Sequence, residues 1–268
     1  MDEALFRERG ILFLTNKCNN NCVICQDREP WELMKEWPKI KEDLDHLISS
    51  GIRELTIYGG EPFINKSMPK VLDYLSPLDL EVSLSSNARV FSQRRFVEEI
   101  KKLKKVHVQT TLFSHDADVH DYITSAKGSH AQAVQGIRNL LAERIDVGVT
   151  VVLTAANTKD LTETVQFLAS LGVRRIKISG LIDKGALKER PDMKVSFERA
   201  MKEIKRLYDW NGVKDMSLVF EKLPLCILPG DVKGSFVHEP QHKKDMTACP
   251  ADKASCDACA RKQECMCS

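Results

Sequence analysis

The chain has 268 residues, enough for one large α/β domain with a sizeable hydrophobic core and a small appendage. Its 40 Lys and Arg against 38 Asp and Glu give a formal net charge of +2, so no overall field recruits nucleic acid or membrane. No apolar run approaches the roughly 20 residues that cross a bilayer. We therefore expect no membrane partner, and the composition disfavours a nucleic-acid partner. Residues Met1 to Arg9 are charged and polar, unlike a secretory signal peptide, so we expect a cytoplasmic protein.

Short β-type runs alternate with longer helical patterns along most of the chain. Strands are predicted at 11–15, 54–58, 80–85, 106–112, 147–153 and 175–178. Helices are predicted at 39–50, 66–75, 92–102, 131–144 and 161–171. An alternation this regular favours an α/β fold with a parallel sheet and right-handed crossovers.

The last third of the chain has a weaker pattern. A helix is predicted at 195–210 and a strand at 217–221, and from residue 223 onward the sequence is rich in Pro, Gly, Lys and Cys without a period. We expect a core domain at 1–190, a closing helix and strand at 191–222, and a cysteine-rich tail at 223–268. Such a tail needs a bound metal to order it.

The nine cysteines form two groups, three near the start and six between Cys226 and Cys267. A secreted domain stapled by disulfides would spread its cysteines along the chain, so this placement indicates metal-binding thiols. Cys18, Cys22 and Cys25 follow the first predicted strand, where parallel α/β sheets bind ligands. Three thiolates can hold three irons of a 4Fe-4S cluster and leave the fourth iron open. Zinc is the alternative, although it normally takes a fourth Cys or His, and the nearest is His46.

The Cys-x3-Cys-x2-Cys spacing resembles the signature of the radical S-adenosylmethionine (radical SAM) superfamily. The resemblance implies that Cys18, Cys22 and Cys25 are the catalytic cluster ligands and that S-adenosylmethionine binds the fourth iron. One electron from the cluster then cleaves the sulfonium and releases a 5′-deoxyadenosyl radical. It also implies a partial (β/α)6 TIM-like barrel with a cysteine-rich C-terminal extension. Ile24 departs from the pattern, because many members carry an aromatic residue there.

The second predicted strand ends in Gly59-Gly60-Glu61-Pro62. Two glycines at the end of a strand let the backbone approach a ligand closely, and a proline stiffens the exit. The four residues resemble the family's Gly-Gly-Glu-Pro segment, which hydrogen-bonds the methionine amino group of the cofactor. The resemblance therefore assigns Glu61 to that amino group.

Polar side chains at the ends of the third and fourth predicted strands are further cofactor candidates. Ser85-Ser86-Asn87 resembles the family's Ser/Thr-Asn-Gly step, with an alanine in place of the glycine, and Ser85 and Asn87 could bind ribose or carboxylate oxygens. Gln109 lies on the fourth strand. Lys127 is the nearest cation for the methionine carboxylate, because the arginine common in the family at this place is missing.

Two histidines, His115 and His120, lie in a polar, acid-rich stretch that precedes the helix at 131–144. They could be read as acid-base residues. In such a stretch, surface or capping roles are commoner than catalysis, and we expect those roles here.

The tail contains Cys256-x2-Cys259-x5-Cys265, which resembles the core of the family's SPASM or twitch domain. That resemblance implies a second, auxiliary 4Fe-4S cluster on Cys226, Cys256, Cys259 and Cys265, with Cys249 or Cys267 as substitutes. The same spacing permits a structural zinc ribbon.

The sequence therefore predicts a radical SAM enzyme that abstracts hydrogen from an unactivated carbon, with a peptide or protein as the expected substrate by analogy with the family. Its electron donor would be a flavodoxin or a ferredoxin. One alternative keeps the chemistry and takes a nucleotide or small metabolite, as in the molybdopterin-precursor branch. Another is a non-catalytic module that holds zinc in both cysteine groups.

Overall fold

A computed structural model of the chain describes residues 9–27, 31–223 and 236–238. The strands are β1 (Arg9–Phe13), β2 (Glu54–Tyr58), β3 (Glu81–Ser85), β4 (Lys105–Thr111), β5 (Asp146–Val152), β6 (Arg175–Ser179), β7 (Ser217–Glu221) and β8 (Phe236–His238). The helices are α1 (Trp37–Ser49), α2 (Met68–Leu75), α3 (Arg94–Ile100), α4 (Ala117–Thr124), α5 (Ser129–Ala142), α6 (Leu161–Ser170) and α7 (Phe197–Asp209).

The described residues fall into two compact units. The first takes 9–21, 27, 31–111 and 128–148, and so contains β1 to β4, the first residues of β5, and the helices α1, α2, α3 and α5. The second takes 22–26, 112–127, 149–223 and 236–238, with the end of β5, the strands β6 to β8, and the helices α4, α6 and α7.

In the first unit the strands are parallel and follow chain order from β1 to β4, with β5 next to β4. The register pairs Phe13 with Tyr58 and Ser85 with Gln109. Because parallel strands end at the same edge of a sheet, the segments that follow β1, β2 and β3 emerge side by side. This edge carries the predicted cofactor residues of the first unit.

Burial in the first unit alternates along the strands, as expected for a sheet covered by helices on one face. In β2, Leu55 and Ile57 are fully buried, while the residues between and beside them are only half-buried. The helices cover that face with apolar residues at helical spacing. Those of α1 and α2 are Ile40, Leu44, Met68, Val71, Leu72 and Leu75.

In the second unit the order across the sheet is the end of β5, then β6, β7 and β8. The last three strands are parallel to one another, and Ser179 of β6 lies opposite Glu221 of β7. Helix α7 begins after Ser196, whose hydroxyl accepts a hydrogen bond from the Arg199 amide (3.4 Å). The apolar core of this unit includes the buried residues Ile176, Ile178, Leu218 and Phe220 of the strands and Leu161, Val165, Leu168, Ile204 and Leu207 of the helices.

The predicted strands and helices between residues 9 and 221 match the observed ones to within about two residues at each end. Among the α-helices and strands of the described residues, α4 and β8 were not predicted. Helix α4 begins after Asp116, whose carboxylate accepts hydrogen bonds from the backbone amides of Asp118 and Val119. Within α4, His120 is buried and its Nδ1 accepts a hydrogen bond from the Phe113 amide (3.2 Å). Of the two expected roles, surface or capping, this excludes the surface role for His120.

None of the helices in the described parts of the chain is long and apolar enough to span a membrane.

Candidate functional site

The loop that carries the first cysteine group leaves β1 through a buried Thr15. The Thr15 hydroxyl donates to the Leu33 carbonyl (2.7 Å) and accepts from the Lys17 amide (3.0 Å). These two bonds fix the chain just before Cys18, which is exposed and belongs to the first unit. Cys22 and Cys25 are partly exposed and belong to the second unit.

The Gly59-Gly60 step packs directly against this entering segment. The Gly60 amide donates to the Thr15 carbonyl (2.7 Å), and the Glu61 amide donates to the Lys17 carbonyl (2.8 Å). A Cβ atom on Gly60 would lie 2.3 Å from the Lys17 carbonyl oxygen, closer than atoms can approach. The sequence predicted that the backbone of this glycine step approaches a ligand closely. In the structure the step lies in close contact with the protein's own backbone just before Cys18.

The Glu61 carboxylate is buried and bonded within the protein. The Ser86 hydroxyl donates to both of its oxygens (3.0 Å each), and the amides of Asn87 (2.9 Å) and Phe63 (3.3 Å) donate to it as well. Burial raises the pKa of Glu61 to about 7, although these hydrogen bonds act in the opposite direction. The role of Glu61 towards a methionine amino group stays a prediction, and its observed role is to hold the segment after β3.

Asn87 lies beside Cys18. Its Nδ2 is 3.6 Å from Cys18 Sγ and donates to Asn19 Oδ1 (2.6 Å). The Asn20 backbone amide also donates to Cys18 Sγ (3.4 Å). Two N–H donors thus face the Cys18 sulfur.

Arg89 binds the two loop residues that follow Cys18. Its Nη1 donates to the Asn19 carbonyl and to Asn20 Oδ1 (2.6 Å), and its Nε donates to Gln132 Oε1 (2.7 Å). A guanidinium presents several donors in a rigid plane, so one side chain can join α5 to two residues of the loop. The first half of the cysteine loop is therefore held from outside by Asn87 and Arg89.

Between these two residues, Ala88 is fully buried and has a φ of +62°, in the left-handed region. Left-handed backbone costs about 1–2 kcal/mol for a residue with a Cβ. The turn after Asn87 thus has a backbone conformation that a glycine adopts most easily, at the position where the resembling family step has a glycine.

The remaining predicted cofactor residues are placed as follows. Pro62 is buried and starts a short 3₁₀ helix, Pro62–Ile64. Ser85 is exposed at the end of β3, opposite the half-buried Gln109, whose Oε1 lies 3.3 Å from His107 Nε2. Lys127 is exposed and belongs to the second unit.

The second half of the cysteine loop is held within the second unit. The Val23 amide donates to the Ile123 carbonyl (2.9 Å), and the Ala186 amide donates to the Cys25 carbonyl (2.9 Å). Gly185 has a φ of +58°, and a Cβ atom on it would lie 2.3 Å from that carbonyl oxygen. A glycine is therefore required where the segment after β6 closes on Cys25.

Ile24, between these cysteines, is buried in an apolar cluster. The buried members of that cluster are Ile24, Phe113, Ile123, Leu187 and Met193. The position that departs from the family pattern is thus a core position of the second unit.

The residues of the loop fit an iron-sulfur cluster by their chemistry. Thiolates are the usual ligands of such clusters, and donors to the ligating sulfur are a regular feature of their surroundings. Among residues 9–27, 31–223 and 236–238, no three Cys, His, Asp or Glu side chains converge as a group that could hold a metal ion. Cys226, Cys256, Cys259 and Cys265 lie outside the described residues.

Three features of the site were not predicted from the sequence. They are the Ser86 hydroxyl on Glu61, the Arg89 contacts with the loop, and the Gly185-Ala186 contact with Cys25. Ser86 directly precedes Asn87 and Arg89 follows it by two residues, and this proximity is a signal that could have drawn attention to them. Nothing in the local sequence distinguishes Gly185 from an ordinary turn glycine.

Comparisons with known proteins identify a matching family and similar folds. The model of the Radical SAM superfamily matches residues 12–168. The chain is 27% identical over 175 residues to the antilisterial bacteriocin subtilosin biosynthesis protein AlbA of Bacillus subtilis, a match that covers 64% of this chain and 39% of AlbA. It is 26% identical over 166 residues to a probable GTP 3′,8-cyclase of Archaeoglobus fulgidus, covering 59% of this chain and 53% of the cyclase.

Among solved structures, the fold is similar to that of SuiB from Streptococcus suis. With SuiB bound to S-adenosylmethionine the TM-score is 0.65, at 14% identity over 80% of this chain and 49% of SuiB. With SuiB bound to its precursor peptide SuiA the TM-score is 0.63, at 14% identity over 88% of this chain and 49% of SuiB. This likeness confirms the predicted α/β fold of the TIM-like barrel type; the cysteine-rich extension lies outside the described residues.

The matches to AlbA and to the cyclase span about two fifths to one half of those relatives. The family model, in contrast, covers more than half of the 268 residues, including all three cysteines of the first group and the segments that hold Cys18. The chain therefore belongs to the radical SAM superfamily, whose members are enzymes.

Proposed function

We propose that this protein reductively cleaves S-adenosylmethionine at a 4Fe-4S cluster held by Cys18, Cys22 and Cys25. The cluster and its cofactor supply the electron transfer and the 5′-deoxyadenosyl radical that abstracts hydrogen from the substrate. The observation that carries the proposal is the environment of Cys18, where the Asn20 amide and Asn87 Nδ2 both face the sulfur.

The protein's own residues hold the ligands in place. Gly60 and Glu61 bind the backbone before Cys18, while Arg89 binds the two residues after it. Ala186 binds the carbonyl of Cys25. Ser85, Gln109 and Lys127 remain candidates for the cofactor oxygens, and the Gly59–Pro62 segment remains the candidate for its amino group.

The proposed substrate is a peptide or protein. The support is the name of AlbA, a bacteriocin biosynthesis protein, and the complex of SuiB with its precursor peptide. A nucleotide is the second candidate, supported by the likeness to a probable GTP cyclase. Incubation of the reduced enzyme with either class, followed by mass spectrometry of the candidate substrate, separates the two.

The cysteine-rich tail at 223–268 is proposed to hold an auxiliary 4Fe-4S cluster on Cys226, Cys256, Cys259 and Cys265, with a zinc ribbon as the alternative. The proposed division into a core at 1–190 and a closing segment at 191–222 stays a prediction. So do a flavodoxin or ferredoxin as electron donor and the cytoplasm as location, where thiols stay reduced.

The first test is to purify the chain without oxygen, reconstitute it with iron and sulfide, and measure 5′-deoxyadenosine after adding dithionite and S-adenosylmethionine. The comparison is a variant with Cys18, Cys22 and Cys25 replaced by alanine. We expect about eight irons and product formation in the wild type, and about four irons and no product in the variant. A wild type that carries only zinc and forms no 5′-deoxyadenosine would refute the proposal and favour a non-catalytic zinc module.

A further inference from the structure

We infer that the Asn87 side chain is a positioning residue for the cluster: its carboxamide donates a hydrogen bond to Cys18 Sγ and raises the reduction potential of the cluster. This inference rests on the proposed function, and it differs from the predicted role of Asn87 as a ligand of cofactor oxygens. Its basis is a set of hydrogen bonds that fixes which end of the carboxamide faces the sulfur.

The orientation of the Asn87 carboxamide follows from its neighbours. Its oxygen, Oδ1, accepts a hydrogen bond from the Arg89 backbone amide (3.1 Å), and a backbone amide can only donate. The other end of the group must then be the NH₂, which carries two hydrogens. These face Asn19 Oδ1 at 2.6 Å and Cys18 Sγ at 3.6 Å. A flip of the group would set an oxygen against Asn19 Oδ1 and an NH₂ against the Arg89 amide, so both contacts would become repulsive.

The backbone beneath Asn87 is fixed as well. Its amide donates to the buried Glu61 carboxylate (2.9 Å), and the neighbouring Ser86 hydroxyl donates to the same group. Glu61 in turn follows the glycine step that binds the chain before Cys18. The donor and the sulfur are thus held by one continuous network within the first unit, although they are 69 residues apart in the sequence.

A donor at this position changes the electronic state of a bound cluster. When Cys18 ligates iron, its sulfur carries negative charge, and an N–H group that points at it stabilises that charge. Reduction adds a further electron to the cluster, so the donor stabilises the reduced state more than the oxidised state and raises the potential. Asn87 thereby makes electron entry, the step that precedes cofactor cleavage, easier.

The test is an EPR-monitored redox titration of the full reconstituted chain, carried out with wild type, Asn87→Leu and Asn87→Asp. The signal that is followed is the one that disappears when Cys18, Cys22 and Cys25 are replaced by alanine. Leucine has a similar size and no donor, and aspartate has the same shape with a charged acceptor. We expect the equilibrium constant for one-electron reduction to fall about tenfold in Asn87→Leu, a shift of about 59 mV. It should fall further in Asn87→Asp.

The matched control is Asn139→Leu. This asparagine is buried in the same unit and donates to the carbonyls of Phe91 and Ser92. The substitution therefore removes a buried carboxamide without touching Cys18, and the potential should stay at the wild-type value. Iron content and the thermal unfolding midpoint are measured for every variant.

Equal potentials for wild type and Asn87→Leu would overturn the inference and leave the proposed function intact. A wild type that assembles no cluster would instead overturn the proposed function and the inference with it. If both Asn87 variants fold but lose the iron at Cys18, Cys22 and Cys25 while Asn139→Leu retains it, Asn87 has a structural role in cluster assembly and the inference about the potential is overturned.

Discussion

Replacing Gly60 by alanine tests whether the backbone approach at the cysteine loop is essential to the structure. The added Cβ atom would lie 2.3 Å from the Lys17 carbonyl oxygen and 2.6 Å from the Asn16 carbonyl oxygen. Both obstacles are backbone, so a side-chain rotation cannot relieve them. Forcing such an atom into a packed site costs about 1–3 kcal/mol. The shift also strains the bonds from the Gly60 and Glu61 amides, each worth about 1 kcal/mol. We expect a total loss of about 3–5 kcal/mol.

The control is Gly128→Ala. Gly128 has a φ of +79°, and no atom lies within 4 Å of an added Cβ. The variant should therefore lose only the free energy of placing a Cβ-bearing residue in the left-handed conformation, about 1–2 kcal/mol. The free energy of unfolding of the metal-free protein is measured in urea for both variants, and the iron content is measured after reconstitution. If Gly60→Ala is no less stable than Gly128→Ala and binds as much iron, the close approach has no structural importance and the reasoning is wrong.

Two further predictions concern the buried residues of the site. Burial raises the pKa of Glu61 from its ordinary value near 4.5 to about 7, so between these pH values the folded state keeps a proton that the unfolded state has released. The corresponding stability, about 3 kcal/mol, is present below pH 4.5 and is lost as the pH rises through 7. Urea unfolding at pH 5 and pH 8 should show this loss in wild type and not in Glu61→Gln; equal pH dependence in the two proteins would contradict it. Ile24→Ala should cost about 2–4 kcal/mol, because this side chain is 9% exposed within an apolar cluster. The matched variant Ile11→Ala, at a position that is 65% exposed, should cost less than about 1 kcal/mol in the same assay, and similar losses would show that Ile24 is not a core residue.

The local sequence was sufficient for most of the fold. Alternating burial in strands such as Glu54–Tyr58 and helical spacing in Met68–Leu75 are both visible as hydrophobic periodicity, because each pattern repeats within a few residues. Helix α4 was missed because its capping residue, Asp116, lies among other polar residues that are equally typical of a loop. Strand β8 is only three residues long and pairs with β7, so its formation depends on a distant partner.

The family is readable from local sequence patterns, and so is the set of candidate cluster and cofactor residues, because cysteine spacing and a glycine step each lie within a few residues. How those residues are held depends on contacts between distant parts of the chain. The tertiary structure placed Asn87 at Cys18 and Arg89 at Asn19 across about 70 residues, and it engaged Glu61 with Ser86 and Asn87. It also placed Gly185 against the Cys25 carbonyl. Such contacts depend on the parallel strands ending at one edge, and on the loop register that brings a particular donor to a particular acceptor. That information is not contained in any short stretch of sequence, since hydrogen-bond partners are set by position in space and not by distance along the chain.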